Sequence, residues 1–173
     1  MIANLQGLMP SISADVIGTT IATQLYPEDF SGALGYTTQT DRLALILSEA
    51  LVTCNVNALT SAFGAASSGY QFSVFPGIHA QDVMYTFFNG PAADFFGNVV
   101  DPGVASVLQS IIVDFTISGA RNLVAVALLQ QPGLLFQPNS TTFLNLDVSG
   151  LTAIQDPAAN PRCQFWQQGL FSA

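Results

Sequence analysis

The chain is 173 residues long, enough for one domain with a sizeable core. Charged side chains make up 8% of it, lysine is absent, and Arg42, Arg121 and Arg162 are the only cations. A net charge of −8 leaves nothing to neutralise a row of phosphates, which argues against nucleic acid as a partner and against an anionic membrane surface.

Half of the residues are hydrophobic, so a fold built from this chain alone leaves much apolar surface wet. Such surface marks a missing partner; the alternative is a secreted protein coated with Ser, Thr, Asn and Gln. No transmembrane segment is expected, because the long uncharged stretch 122–146 is broken by Gln, Asn and Pro. The opening MIANLQGLMPSIS lacks the basic flank and apolar run of a signal peptide, so export would need a signal elsewhere.

In chain order, SISADVIGTTIATQLYP predicts a short helix capped by Ser11 or Ser13 and stopped before Pro27. Residues 38–63 carry helical periodicity, with Leu43, Leu47, Ala50, Leu51, Cys54 and Ala58 on one stripe. GAASSG is a loop, and YQFSVF alternates as a strand ended by Pro76-Gly77. AQDVMYTFF allows one or two helical turns. A strong helix follows Asp101-Pro102, with Asp as cap and Pro in the first turn, and ends at Gly119. LVAVALLQQPGLLFQP is too continuously apolar to assign by period. TFLNLDV alternates as a second strand, and NPRCQFWQQGLF closes the chain as a helix with Pro161 near its start. Two strands far apart in a helix-rich chain predict part of an α/β sheet rather than a whole one.

The sole histidine, His79, is the chief catalytic candidate. Imidazole titrates near neutrality and so passes protons in both directions, and it lies just past a strand end, where α/β folds place functional side chains. By position alone, a satisfied or surface histidine is the commoner outcome. Asp82 imitates an orienting acid but is expected to cap the following helix. Glu28-Asp29 reads as a solvated acidic pair. With one histidine, two distant cysteines and no HExxH or CxxC, no metal is expected, and no glycine-rich phosphate cradle points to a nucleotide cofactor. No serine sits in G-x-S-x-G.

A Cys54–Cys163 bridge would close a loop of about a hundred residues, worth up to ~4–5 kcal/mol by chain entropy; two buried free thiols are the alternative. Asn139-Ser140-Thr141 is an N-glycosylation sequon, although about one is expected by chance at this length.

PGIHAQDVMYTFFNG resembles the type-B carboxylesterases and lipases, the cholinesterase-like α/β-hydrolases, with fungal secreted esterases the nearest in flavour. Their loop reads P-G-x-H-G-x-D/E-[LV]-x-Y-x-F and falls here on Pro76, Gly77, His79, Asp82, Val83, Tyr85 and Phe87. LYP near the front, the helix from Arg42 to Cys54, VLQSIIVDFTISGARN, FLNLDVSGL and the closing RCQFW agree in order. The match covers nearly the whole chain.

The resemblance implies an α/β fold, specifically the C-terminal portion of an α/β-hydrolase with an incomplete sheet, residues 1–173 forming a single partial domain. It implies that His79 is the triad base, that Cys54 and Cys163 pair, and that the intact protein is secreted and hydrolyses an ester or lipid without a cofactor. The nucleophilic serine, the acid and the oxyanion hole would lie in an upstream N-terminal part, so this chain alone is expected to be inactive. The alternatives are a half that complements a separate N-terminal half, and a non-catalytic interaction module. Ala80 stands where the family has Gly, Arg121 replaces the Pro of G-x-P, and no Trp-Pro precedes the last strand. A positive φ at Ala80 would strain the loop by ~1 kcal/mol or more. Phe87-Phe88 and Phe95-Phe96 could line an acyl pocket, but core packing is the expected role of such pairs.

Overall fold

The computed structural model describes residues 2–64, 67–91, 93, 97–118 and 142–168. Six helices and three strands occur among them: α1 (Ile2–Leu8), α2 (Val16–Leu25), α3 (Gln39–Phe63), β1 (Gly69–Phe72), α4 (Gln81–Thr86), α5 (Pro102–Ser118), β2 (Thr142–Asp147), β3 (Gly150–Gln155) and α6 (Pro161–Trp166). Contacts group the chain into two compact units, one of Met1–Leu59 with Pro157–Ala173 and one of Thr60–Asp156.

The first unit is helical. Ser13 starts α2 as expected: its Oγ accepts the Val16 N–H at 3.3 Å. Within α2 the bonds run i→i+5, as from Tyr26 N–H to the Ile21 carbonyl at 3.0 Å. Thr38 opens α3 with a capping box, its Oγ1 accepting from Asp41 N–H while Asp41 Oδ2 accepts from Thr38 N–H, both at 3.1 Å. Leu5, Ile12, Ile17, Ile21, Tyr26, Tyr36 and Ile46 form the core, with Phe165 and Trp166 of α6 packed against it. The helical turn α1, which supplies Leu5, was not foreseen.

The face that α3 buries differs from the expected stripe. Arg42, Ile46, Glu49 and Cys54 are buried, whereas Leu51 is 63% exposed and Ala58 is exposed. Two causes combine. Glu49–Thr53 is wound as a π turn, which rotates the helix face, and the buried side includes two charged residues whose partners lie inside the unit. The Arg42 guanidinium donates to the carbonyls of Ala22 and Tyr26, to Gln39 Oε1 and to Glu28 Oε1. Glu28 is therefore paired with Arg42 at 3.0 Å rather than merely solvated, though it stays 71% exposed.

Glu49 accepts both bonds of the Arg162 fork at 2.7 Å and also the Tyr26 hydroxyl. Trp166 Nε1–H donates to the Tyr26 oxygen at 2.8 Å, and the guanidinium lies over the Tyr26 ring at 5.2 Å. Burial, then the Glu49 hydrogen bond, raise the Tyr26 pKa well above the ordinary phenol value. The Glu49 bonds hold the Arg162 pKa above its usual range. Asn160 caps α6 by accepting Cys163 N–H at 3.1 Å, with Pro161 in the first turn. Cys54 and Cys163 form a disulfide with Cα atoms 4.9 Å apart. At 25 residues and a mean hydropathy of 1.5, α3 has the length and composition to cross a membrane although it carries Asp41, Arg42 and Glu49.

The second unit is built on a sheet ordered β1-β2-β3, with β1 parallel to β2 and β2 antiparallel to β3. Mixed pairing in a helix-rich setting matches the expected partial α/β sheet. The third strand was missed: after Asp147 the chain turns, with Ser149 N–H bonded to Asp147 Oδ1 at 2.6 Å and Gly150 at φ 115°, and Leu151 returns to the core. Gly69 is required where β1 meets β2, since a Cβ there would lie 2.6 Å from the Phe143 ring. Asp101 caps α5 as read from sequence, its Oδ1 accepting from Gly103 N–H at 2.7 Å and Val104 N–H at 3.1 Å. Val104, Val107, Leu108 and Ile111 of α5 are buried with Leu144, Leu146, Val74 and Tyr85, each worth about 1.5–3 kcal/mol of burial. Ile112 and Phe115 of the same helix are at the surface.

Candidate functional site

His79 lies on the connection from β1 to α4, and its side chain is exposed. The connection begins as an extension of the sheet: Ser73 N–H donates to the Leu146 carbonyl at 2.8 Å. A first turn follows, closed by Gly77 N–H on the Val74 carbonyl at 2.7 Å, with Gly77 at φ 68°. A second turn spans Ile78, His79, Ala80 and Gln81, closed by Gln81 N–H on the Ile78 carbonyl at 3.1 Å. Ala80 has φ 68° and ψ 4°, and among the described residues it is the only non-glycine with a positive φ. Those angles belong to the third position of a type II turn, where glycine is favoured because Cβ crowds the backbone. His79 thus occupies the second position, at the tip.

The strain expected at Ala80 is present, and it costs about 1–2 kcal/mol. Ala80→Gly relieves it but adds about 0.4–1 kcal/mol of unfolded-state entropy. A net gain of about 0.5–1 kcal/mol is therefore expected, read as a higher urea midpoint at unchanged slope. A lower midpoint would contradict the strain.

Asp82 does not cap α4: the N-cap position is Ala80, which makes no side-chain cap bond. Asp82 sits in the first turn, where a carboxylate complements the helix dipole. Its Oδ2 accepts the Tyr70 hydroxyl of β1 at 2.7 Å. Burial and then that carboxylate raise the Tyr70 pKa. At the other end of α4, Gln109 Nε2–H donates to the carbonyls of Tyr85 and Phe88 at 3.2 and 2.8 Å, tying the helix to α5. Phe88 packs against the core as expected, but Phe87 is 76% exposed. Phe75, next in line with the histidine turn, is 85% exposed. Arg121, Asn139 and Phe95-Phe96 lie outside the described residues.

The residue that sequence reading passed over is Gln81. It is fully buried, its Oε1 accepts the N–H groups of Gly77 and Ile78 at 2.9 and 3.3 Å, and its Nε2–H donates to the Phe75 carbonyl at 3.1 Å. A polar residue beside a histidine, at the start of a helix, gives no sign in the sequence of facing inward.

Most of the chain is similar in sequence to two fungal proteins named as carboxylesterases. Over 170 residues the chain is 31% identical to Carboxylesterase patB of Aspergillus clavatus, covering 95% of this chain and 28% of that protein. It is 28% identical over 147 residues to Carboxylesterase patB of Penicillium expansum, covering 85% of this chain and 25% of that protein. The chain thus spans about a quarter of the length of the relatives it matches. No protein-family model matches it, and no solved structure does.

Proposed function

We propose that residues 1–173 are a single partial domain, the C-terminal segment of a type-B, cholinesterase-like carboxylic ester hydrolase, in which His79 is the proton shuttle. The observation that carries this reading is the type II turn after β1 that puts the sole imidazole at its tip, within a segment similar along most of its length to carboxylesterases. In the assembled enzyme His79 takes the proton of an upstream serine as that oxygen attacks the ester carbonyl. It returns the proton to the departing alcohol and repeats the cycle with water. The upstream part supplies the serine, the acid that orients the imidazole, and the oxyanion hole. The chain alone therefore lacks esterase activity. No metal, nucleotide or nucleic acid takes part. The intact protein is secreted, which suits the disulfide, and Asn139 is its glycosylation site.

Phe75 and Phe87, on either side of the histidine turn, are exposed, and the N-terminal part would cover them. Co-expression with an N-terminal half bearing G-E-S-A-G tests the reading. Hydrolysis of a short p-nitrophenyl ester and serine labelling by a fluorophosphonate are expected to appear together and to vanish with His79→Ala. Saturable hydrolysis by the 173-residue chain alone would refute the incomplete-site reading. No gain on co-expression would refute complementation.

A further inference from the structure

We infer that Gln81 is the positioning residue of His79, its buried carboxamide serving as the template around which the histidine loop is wound. The loop from Val74 to Gln81 contains two successive tight turns and a non-glycine residue in the left-handed region. The two turn bonds do not themselves satisfy Ile78 N–H or the Phe75 carbonyl. The carboxamide does so from within: one oxygen receives Gly77 N–H and Ile78 N–H, and one nitrogen donates to the Phe75 carbonyl.

These three bonds fix the chain on the N-terminal side of His79, and the backbone bond from Gln81 N–H to the Ile78 carbonyl fixes it on the other side. The histidine is left with its side chain outside and its Cα held on both flanks. Gln81 is itself anchored, because α4 is fastened to α5 through Gln109. A direct path therefore runs from the unit's core to the direction in which the imidazole leaves the loop. A shorter side chain cannot reach three backbone groups, and an apolar one leaves Ile78 N–H and the Phe75 carbonyl without this partner, while Gly77 N–H keeps its bond to the Val74 carbonyl.

The carboxamide also has a use for the strain at Ala80. Left-handed backbone in a non-glycine residue persists only where surrounding bonds over-determine it, and Gln81 supplies bonds from both its backbone and its side chain. Its part in ester hydrolysis rests on the reading of His79 as the shuttle; the loop geometry it sets does not.

The test uses the full 173-residue chain, in which the sole histidine gives one unambiguous imidazole signal. In the wild type, Gly77 and Ile78 amide protons are expected to exchange slowly, together, and the His79 backbone to show an order parameter near 0.85, as about expected for rigid chain. Gln81→Met keeps the length and bulk without the amide: the Ile78 proton is expected to exchange at least about tenfold faster, Gly77 less so because of its bond to the Val74 carbonyl, and the order parameter to fall below about 0.6, while Leu144 and Leu146 amides are unchanged. Gln81→Glu keeps the acceptor for both N–H groups and is expected to restore their protection, which general loosening of the core would not do. Random-coil exchange at Gly77 and Ile78 in the wild type overturns the proposal, whatever the variants do. So does Gln81→Met with the Ile78 amide still protected, or Gln81→Glu as unprotected as Gln81→Met. Failure here leaves the esterase reading standing, and absence of hydrolysis on co-expression leaves the loop result standing.

Discussion

Glu49→Ala is expected to destabilise the chain by about 3 kcal/mol, the lower end of the 3–5 kcal/mol range for breaking a buried ion pair. The Glu49 side chain is 4% exposed and that of Arg162 is 21% exposed, so solvent partly rescues the cation left behind. The loss is not one bond. Arg162 loses a bidentate partner, the Tyr26 hydroxyl loses its acceptor, and Asn160 loses a longer contact at 3.4 Å. A guanidinium stranded beside an aromatic ring and a phenol with no acceptor are both poorly solvated. Glu49→Gln is expected to cost less, because its oxygen still accepts one bond. Urea unfolding of both variants checks this, and a cost under about 1 kcal/mol for Glu49→Ala would place the pair among ordinary surface contacts. The same geometry explains the odd charge pattern. Arg42 is fully buried and Arg162 is largely committed to Glu49, so two of the three cations hold elements together and offer little to an anionic partner.

This network also marks where sequence reading succeeds and where it stops. Elements announced by local chemistry were legible: Asp101-Pro102 for α5, Ser13 for α2, Asn160-Pro161 for α6. Each cap acts on residues three positions away, within reach of a pattern. The buried face of α3 was not legible, because a rule that counts apolar residues assigns Arg42 and Glu49 to solvent. Their burial depends on Arg162 and on the carbonyls of Ala22 and Tyr26, and Arg162 is far away in sequence. Strand β3 is a milder case: Asp147-Val148-Ser149-Gly150 carries turn chemistry, and the alternation of Leu151, Thr152 and Ala153 was open to notice. At the candidate site, the place of His79 just past a strand end followed from the strand and turn pattern, and the strain at Ala80 from the family's glycine there and the steric rule for positive φ. Gln81 did not, since nothing in its neighbours tells a glutamine that faces solvent from one that threads three backbone bonds.

Replacing both Cys54 and Cys163 with Ala is expected to cost about 2–5 kcal/mol, at the upper end because the bridged residues are far apart. Their separation is 109 positions, so the open chain regains a large loop entropy. The bridge also fastens a helix that could not stand by itself. At six residues, α6 is far below the length at which an isolated helix persists in water. Its other anchors are the Glu49–Arg162 pair, the Trp166 bond to Tyr26, and Gln167 Nε2–H donating to the Cys54 carbonyl at 3.0 Å. Ion pair and disulfide therefore hold the same short element, and releasing it through the loss of one weakens what the other contributes. Combining the double cysteine replacement with Glu49→Ala is expected to deviate from additivity by about 0.5–3 kcal/mol, the second loss costing less once α6 is already released. Additive costs across the cycle would mean that α6 stays docked through its aromatic contacts alone, and that the fastening is not shared.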